Sequence, residues 1–303
     1  MDVNYSGNTQ DQLRGKELIQ QGKVGCIILA GGQGTRLGFD GPKGCMIVTS
    51  SGKSLFQLFC ERAQGPICIM TSPLNHIQTV DFFEKNHFFN LDPSQVSFFQ
   101  QEMLPLLDDQ FQPTQEVGPD GNGHALHHFY RSGLWKKWHD LGIEYLNVIF
   151  VDNALADPFD PELVGLASRK NVDAILKAVP RLSAQEKMGM VTMQNGKLKV
   201  IEYFEISQNT ISALSSTGMF CLSMSFIHYL TQELKAEFPL HLARKKGLWK
   251  RERFLFDLLD FARSGAVLVC ERDKIYCPLK NASGEHSLET VRLKLDQISD
   301  TLL

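Results

Sequence analysis

Apolar runs at 24–29, 66–70, 96–99, 145–151 and 173–179 are bounded by turn residues, and most are apolar on both faces. A strand with one wet face alternates polar and apolar side chains. A strand that is apolar on both faces has to be covered on both sides, which is the usual condition of a central strand in a parallel sheet. Helix-like segments at 54–62, 77–85, 125–137 and 161–168 lie between these runs. The alternation predicts an α/β fold with a doubly wound, mostly parallel, Rossmann-like sheet. Runs such as Cys26-Ile27-Ile28-Leu29-Ala30 and Val148-Ile149-Phe150-Val151 are far too short to cross a bilayer, so no membrane partner is expected. The opening Met1 to Gln21 is polar, and no signal peptide is expected from it.

The texture changes after Val179. Segments 190–193 and 197–203 flank Asn195-Gly196, a strong two-residue hairpin signal. A further apolar run covers 218–222, a helical pattern 254–263 and a strand pattern 267–270. The region from about Arg181 onward therefore reads as antiparallel additions to the sheet.

Charge excludes one class of partner. The formal net charge is -3 and the pI about 6.3, so no nucleic-acid partner is expected. Arg244-Lys245-Lys246, with Lys250-Arg251 and Arg253, reads as a solvated helix face, a local anion contact being the alternative. The 7 cysteines form no Cys-x-x-Cys pair and have no histidine cluster at zinc spacing. They read as small core residues of a protein in a reducing, cytoplasmic setting.

The richest segment is Leu29-Ala30-Gly31-Gly32-Gln33-Gly34-Thr35-Arg36-Leu37-Gly38, followed by Pro42-Lys43-Gly44. It leaves the first central strand directly, at the edge where α/β sheets bind ligands. Clustered glycines let backbone N–H groups approach phosphate oxygens. Arg36 can grip a phosphate with paired hydrogen bonds, and Lys43 adds a mobile charge. The spacing fits neither the dinucleotide loop nor the P-loop. Asp152 ends another strand at the same edge. A carboxylate there is a natural magnesium ligand, a cap or turn residue being the alternative.

Other segments follow in order: Phe98-Phe99-Gln100-Gln101-Glu102-Met103-Leu104-Pro105, Pro119-Asp120-Gly121-Asn122-Gly123, Val151-Asp152-Asn153-Ala154-Leu155, Glu202-Tyr203-Phe204-Glu205-Ile206-Ser207 and Pro278-Leu279-Lys280-Asn281-Ala282. With the glycine loop, this series resembles the eukaryotic-type UDP-N-acetylhexosamine pyrophosphorylases, within the UTP–sugar-1-phosphate uridylyltransferase family. The resemblance runs from about Val24 to Ala282. It implies a nucleotide-diphospho-sugar transferase (GT-A-like) sheet, with a lead at 1–23, a catalytic domain at 24–282 and a tail at 283–303. It also implies transfer of uridylyl from UTP to N-acetylglucosamine 1-phosphate, with Mg2+ on Asp152. Leu29, Ala30, Gly31, Gly32, Gly34 and Thr35 would line the UTP.

Gly121 would lie against the base, and one glutamine of the Gln100-Gln101 pair would read uracil through its paired donor and acceptor. Asn122, Glu202, Tyr203 and Gly218 would contact the sugar, while Arg36, Lys43 and Lys280 would neutralise the phosphates. A sugar 1-phosphate is already largely dianionic near neutral pH and needs no general base. The expected work of the site is therefore alignment and charge neutralisation.

Three departures stand out. Ser216-Thr217-Gly218-Met219 replaces an Asn-x-Gly-Asn stretch, His124 replaces a glycine, and the chain stops soon after Lys280. They leave open UTP–glucose-1-phosphate transfer, or a degenerate UDP-sugar-binding protein. His124, His127 and His128 have suggestive spacing, but with no third ligand apparent they read as solvent-facing or supporting residues.

Overall fold

The computed structural model describes residues 4–203, 205, 213–245 and 247–301. Its strands are β1 (Asn4–Ser6), β2 (Val24–Leu29), β3 (Ile67–Thr71), β4 (Val96–Gln100), β5 (Met103–Leu107), β6 (Pro113–Pro119), β7 (Tyr145–Phe150), β8 (Ala174–Pro180), β9 (Met190–Gln194), β10 (Lys197–Ile201), β11 (Leu214–Ser223), β12 (His241–Lys245), β13 (Leu248–Glu252) and β14 (Gly265–Val269). The principal helices of the first half are α1 (Thr9–Gln20), α2 (Leu55–Arg62), α3 (His76–Lys85), α4 (Ala125–Arg131), α5 (Leu134–Asp140) and α6 (Pro161–Lys170).

The large sheet runs β1-β14-β8-β11-β7-β2-β3-β4. Along this path every neighbouring pair is parallel except those made by β11, which lies antiparallel between β7 and β8. The hairpin of β9 and β10 attaches to β11 at Ser215 and Met190. Its turn places Asn195 and Gly196 both at positive φ, as the Asn-Gly signal requires.

Alternation along β2 explains why it has to be central. Cys26 and Ile28 join one apolar cluster with Leu18, Leu55 and Leu163 from α1, α2 and α6. Ile27 and Leu29 join another, with Leu126, Phe129 and Trp138 from α4 and α5. Each fully buried Leu or Ile here contributes about 1.5–3 kcal/mol, so covering both faces is strongly favoured. The result is a mixed α/β fold with a large, mostly parallel sheet and antiparallel parts. No helix among the described residues is long and apolar enough to cross a membrane.

Several expectations need correction. The helix expected over 125–137 is broken at Gly133, which adopts φ 79° and separates α4 from α5. Segment 254–263 contains a tighter 3-10 turn, Leu255–Asp260. The basic run is not a helix face: Arg244 and Lys245 end β12, which pairs with β13. Arg244 donates to Asp109 at 2.7 Å and lies over the Trp249 ring, while Lys246 falls outside the described residues. Nor are the antiparallel additions confined to the region after Arg181. β5 and β6 form a second sheet with β12 and β13, and β14 returns to the main sheet in parallel register.

Candidate active site

The glycine loop leaves β2 where Ala30 donates its amide to the Met70 carbonyl at 2.8 Å. Leu29 and Ala30 are buried, whereas Gly32, Thr35 and Arg36 reach the surface. Gly34 N–H bonds the Gly41 carbonyl at 2.8 Å, folding the loop back on itself, and Thr35–Leu37 makes one 3-10 turn. Asn75, absent from the sequence-based list, clamps the loop from α3's N-terminal side. Its amide donates to the Ala30 carbonyl at 2.9 Å and the Gly32 carbonyl at 3.3 Å, while its Oδ1 accepts from Ser72 N–H at 2.8 Å. An N-cap asparagine before α3 was the only local signal for it.

Gly31 separates the glutamine pair. A Cβ added there would sit 2.4 Å from Gln101 Nε2. Gln101 is buried at 6% exposure, its backbone N–H donating to the Thr71 carbonyl at 2.9 Å, whereas Gln100 is exposed at the end of β4. Gln101 thus lies against the loop and Gln100 does not. The chain then runs to the Asp120-Gly121-Asn122 turn, which is tied by Asp120 N–H to the Glu102 carbonyl at 3.0 Å. Gly121 has φ 92° and approaches the Arg253 backbone so closely that a Cβ would sit 2.3 Å from its carbonyl oxygen. Asn122 Oδ1 accepts from Leu255 N–H at 2.8 Å, so this oxygen supports the turn.

The cationic end of the site gathers around Leu279. Its carbonyl accepts from Lys43 Nζ at 3.2 Å, and its amide donates to the Asp152 carbonyl at 2.8 Å. Asn153 holds the same segment, accepting from Cys277 N–H at 2.9 Å and donating to the Ile275 carbonyl at 2.8 Å. Lys280 therefore projects beside Asp152, its ammonium donating to the Tyr276 hydroxyl at 3.1 Å. Burial lowers the pKa of Lys43; Asp152 opposes this, and Arg36 and Lys280 add to it. For Lys280, desolvation pulls down, but Asp152, Tyr276 and Glu202 together raise it. These mutual influences place Arg36, Lys43, Asp152, Lys280 and Glu202 in one electrostatic neighbourhood.

Glu202 follows β10, and burial raises its carboxyl pKa. Tyr203 beside it is 44% exposed, and the motif's Phe204, Ile206 and Ser207 lie outside the described residues. His241 anchors this turn from β12. It bonds Glu205 Oε1 and Asp257 Oδ2, each at 2.9 Å. Burial alone would lower its pKa, but the two carboxylates raise it above the ordinary histidine value. Nothing in the sequence pattern linked residues 205, 241 and 257.

Gly218 has φ 76° and packs against the Phe150 ring. Met219 points the other way, into the core at 2% exposure, with its sulfur 3.8 Å from Asn153 Nδ2. His124 and His128 are also buried rather than solvent-facing, at 6% and 7% exposure, and Asp120 lies beside them. Burial first, then Arg253 and His127, pushes His124 down to about 3.

The arrangement offers a glycine-rich cradle, three cations and one carboxylate at a sheet edge. That is machinery for handling a polyphosphate and a cation. Residues 3–225 match the family described as UTP–glucose-1-phosphate uridylyltransferase. The chain is 35% identical to UDP-N-acetylglucosamine diphosphorylase 2 of Arabidopsis thaliana, over 90% of this chain and 64% of the relative. It is 33% identical to the UDP-N-acetylglucosamine pyrophosphorylase of Saccharomyces cerevisiae, over 92% of this chain and 69% of the relative. The chain thus spans about two thirds of the length of these relatives. Among solved structures it resembles the uridine diphosphate N-acetylglucosamine pyrophosphorylase of Trypanosoma brucei in complex with an inhibitor. The TM-score is 0.87 at 27% identity, covering 97% of this chain and 71% of that one.

Proposed function

The chain belongs to the UTP–glucose-1-phosphate uridylyltransferase family, and from that premise we propose that it joins UTP to N-acetylglucosamine 1-phosphate, releasing pyrophosphate and UDP-N-acetylglucosamine. The relatives of about one-third identity carry that activity in their names, which favours the acetylated hexosamine over glucose. The sheet would then be a doubly wound transferase sheet of the GT-A-like kind, working in the cytoplasm, a reducing setting that the unpaired cysteines suit.

The observation that carries this reading is the convergence of Lys43, Asp152 and Lys280 on Leu279. A sugar phosphate oxygen attacks the α-phosphorus of UTP, and the bond from the α-phosphorus to the bridging oxygen breaks as pyrophosphate leaves. Arg36 and Lys43 hold the triphosphate and offset charge growing on the leaving group, while Lys280 does the same for the attacking phosphate. Gln101 reads uracil edge-on beside Gly31, with Gly121 beneath the base. Glu202 and Tyr203, with the backbone at Gly218, face the sugar.

The donor set suits magnesium. Asp152 supplies one carboxylate at the sheet edge, and the phosphate oxygens of the substrates supply the remaining hard ligands. Mg2+ held by Asp152 would supply positive charge that offsets the charge developing on the phosphates. The test is pyrophosphate release with UTP, Mg2+ and the 1-phosphates of N-acetylglucosamine, N-acetylgalactosamine and glucose. The highest kcat/KM is expected for N-acetylglucosamine 1-phosphate. Preference for glucose 1-phosphate would overturn the sugar assignment alone, and no turnover with any of the three would overturn the enzyme assignment.

A further inference from the structure

The turn between β6 and α4 holds a group of side chains that the transfer reaction does not use. Asp120 is wholly buried, and neither carboxylate oxygen has a hydrogen-bond partner. His124 and His128 stand four and eight positions further on, on one side of the helix start, and the Nε2 of each lacks a hydrogen-bond partner too. One ligand-capable atom from each of the three lies within 4.8 Å of the others. His128 Nε2 is 3.9 Å from Asp120 Oδ2. The Arg253 guanidinium lies 4.0 Å from that oxygen, outside hydrogen-bond distance. A buried carboxylate with no donor costs several kcal/mol, so this group calls for a cation.

We propose that Asp120, His124 and His128 form a binding site for a borderline divalent transition metal, zinc foremost, separate from the magnesium assigned to Asp152. Two imidazoles and one carboxylate are a nitrogen-rich set. Magnesium and calcium take oxygen ligands, whereas zinc, cobalt and nickel accept imidazole readily. In a tetrahedral zinc site with bonds of about 2.0–2.2 Å, neighbouring ligand atoms stand roughly 3.4 Å apart. The widest pair therefore needs to close by up to about 1.4 Å, which side-chain rotations in the turn and first helical residues can supply. The outer nitrogen of His128 lies 4.0 Å from Glu102 Oε1, beyond hydrogen-bond distance but on the side where a carboxylate could orient a metal-bound histidine. Exposed Glu237, 3.7 Å from His124 Nε2, is the nearest further carboxylate.

The bound ion would tie the start of α4 to the turn carrying Gly121 and Asn122. It would act as a structural clamp on that turn, and this role, unlike the binding itself, rests on the assignment of the turn to the base.

The full chain, first stripped with a chelator, is titrated with zinc by calorimetry and with cobalt by visible absorption, in the presence of excess Mg2+. One ion per chain is expected, with the intense cobalt spectrum of a low-coordinate nitrogen-containing site, and Mg2+ should not compete. His124→Ala and His128→Ala should each weaken zinc binding on the order of a hundredfold. His139→Ala, which removes an exposed histidine elsewhere, should leave it unchanged. Asp120→Asn should behave like the histidine variants. If it fails to fold, as judged by circular dichroism, the two histidine variants decide. Stoichiometric binding that survives both histidine variants, an equal loss in His139→Ala, or no binding to the folded chain would overturn the site. None of these readouts depends on turnover, so the site can fail while the proposed activity stands.

Discussion

Lys43 and Leu279 are 236 positions apart in sequence, yet the Lys43 ammonium donates to the Leu279 carbonyl oxygen at 3.2 Å. Through the amide of the same residue, the contact continues to the Asp152 backbone. The lysine assigned to the triphosphate is thus also a strut for the segment bearing Lys280. Lys43→Met should lower kcat/KM by at least a hundredfold and weaken UTP binding in calorimetry. It should also cost about 1–2 kcal/mol of stability, because the carbonyl of buried Leu279 loses a charged donor. Unchanged UTP affinity with unchanged rate would remove Lys43 from the site.

Asp152→Asn separates chemistry from architecture. The fold uses the Asp152 carbonyl, which the substitution keeps, so the melting temperature should move little. Turnover should fall on the order of a hundredfold or more as the metal carboxylate is lost. Near-normal rates at saturating Mg2+ would show that the ion is held elsewhere.

The two adjacent glutamines should behave differently. Gln101→Ala should raise KM for UTP and relax discrimination against other nucleotides, since a missing paired hydrogen bond costs about 1–3 kcal/mol. Gln100→Ala, at an exposed position, should change neither. Gly31→Ala should mimic Gln101→Ala, because the new methyl would occupy the place of the Gln101 amide. KM values for UTP and CTP across the three variants decide the assignment.

Met219→Asn would restore the residue type that resembling enzymes carry, but here it should not sharpen sugar choice. The side chain lies in the core, so an amide there would be buried where a thioether now packs. A loss of about 1–3 kcal/mol in chemical denaturation is expected, with sugar preference unchanged. A sharper preference for the acetylated sugar would mean that this strand turns its side chain toward the ligand.

His241 gives the region a pH dependence of defined sign. Its folded pKa is raised by Glu205 and Asp257 against the effect of burial. The stability it adds is complete below the ordinary histidine value of about 6.5 and is lost as pH rises through the higher folded value. As pH rises above the ordinary histidine value of about 6.5, the melting temperature of the native chain should therefore fall more steeply than that of His241→Gln. Parallel curves would exclude the bridge.

What could be read from the sequence follows from what is local. Strands β2, β3, β4, β7 and β8 announce themselves because two-sided burial demands apolar runs. The sheet of β5, β6, β12 and β13 does not. Its strands are largely exposed or half-exposed, with prolines in β5 and β6 and charges in β12 and β13, and it joins through Trp249 and Leu107, a pairing that no window on the chain contains. The glycine loop, Asp152 and Lys280 were legible as motifs. Asn75, Asn153 and His241 were not, since each acts through contacts made only once distant strands meet. The histidine pair was visible by spacing. Its partner Asp120 stood one helical turn earlier, within a segment that reads as a turn.

β11 carries a burden of its own. It alone among the described strands pairs with both β7 and β8, so in strand pairing the half of the sheet bearing β2, β3 and β4 is joined to the half bearing β14 and β1 through it. Residues up to Phe150 can assemble β7, β2, β3 and β4 as they emerge during synthesis. Until Leu214–Ser223 is made, however, β7 presents an unpaired apolar edge, the kind that recruits other chains. The interval between those two points is when a nascent molecule is most exposed to aggregation. Changes that slow the docking of β11, such as a proline at Cys221, should reduce soluble yield more than they alter the finished protein's ligand affinity.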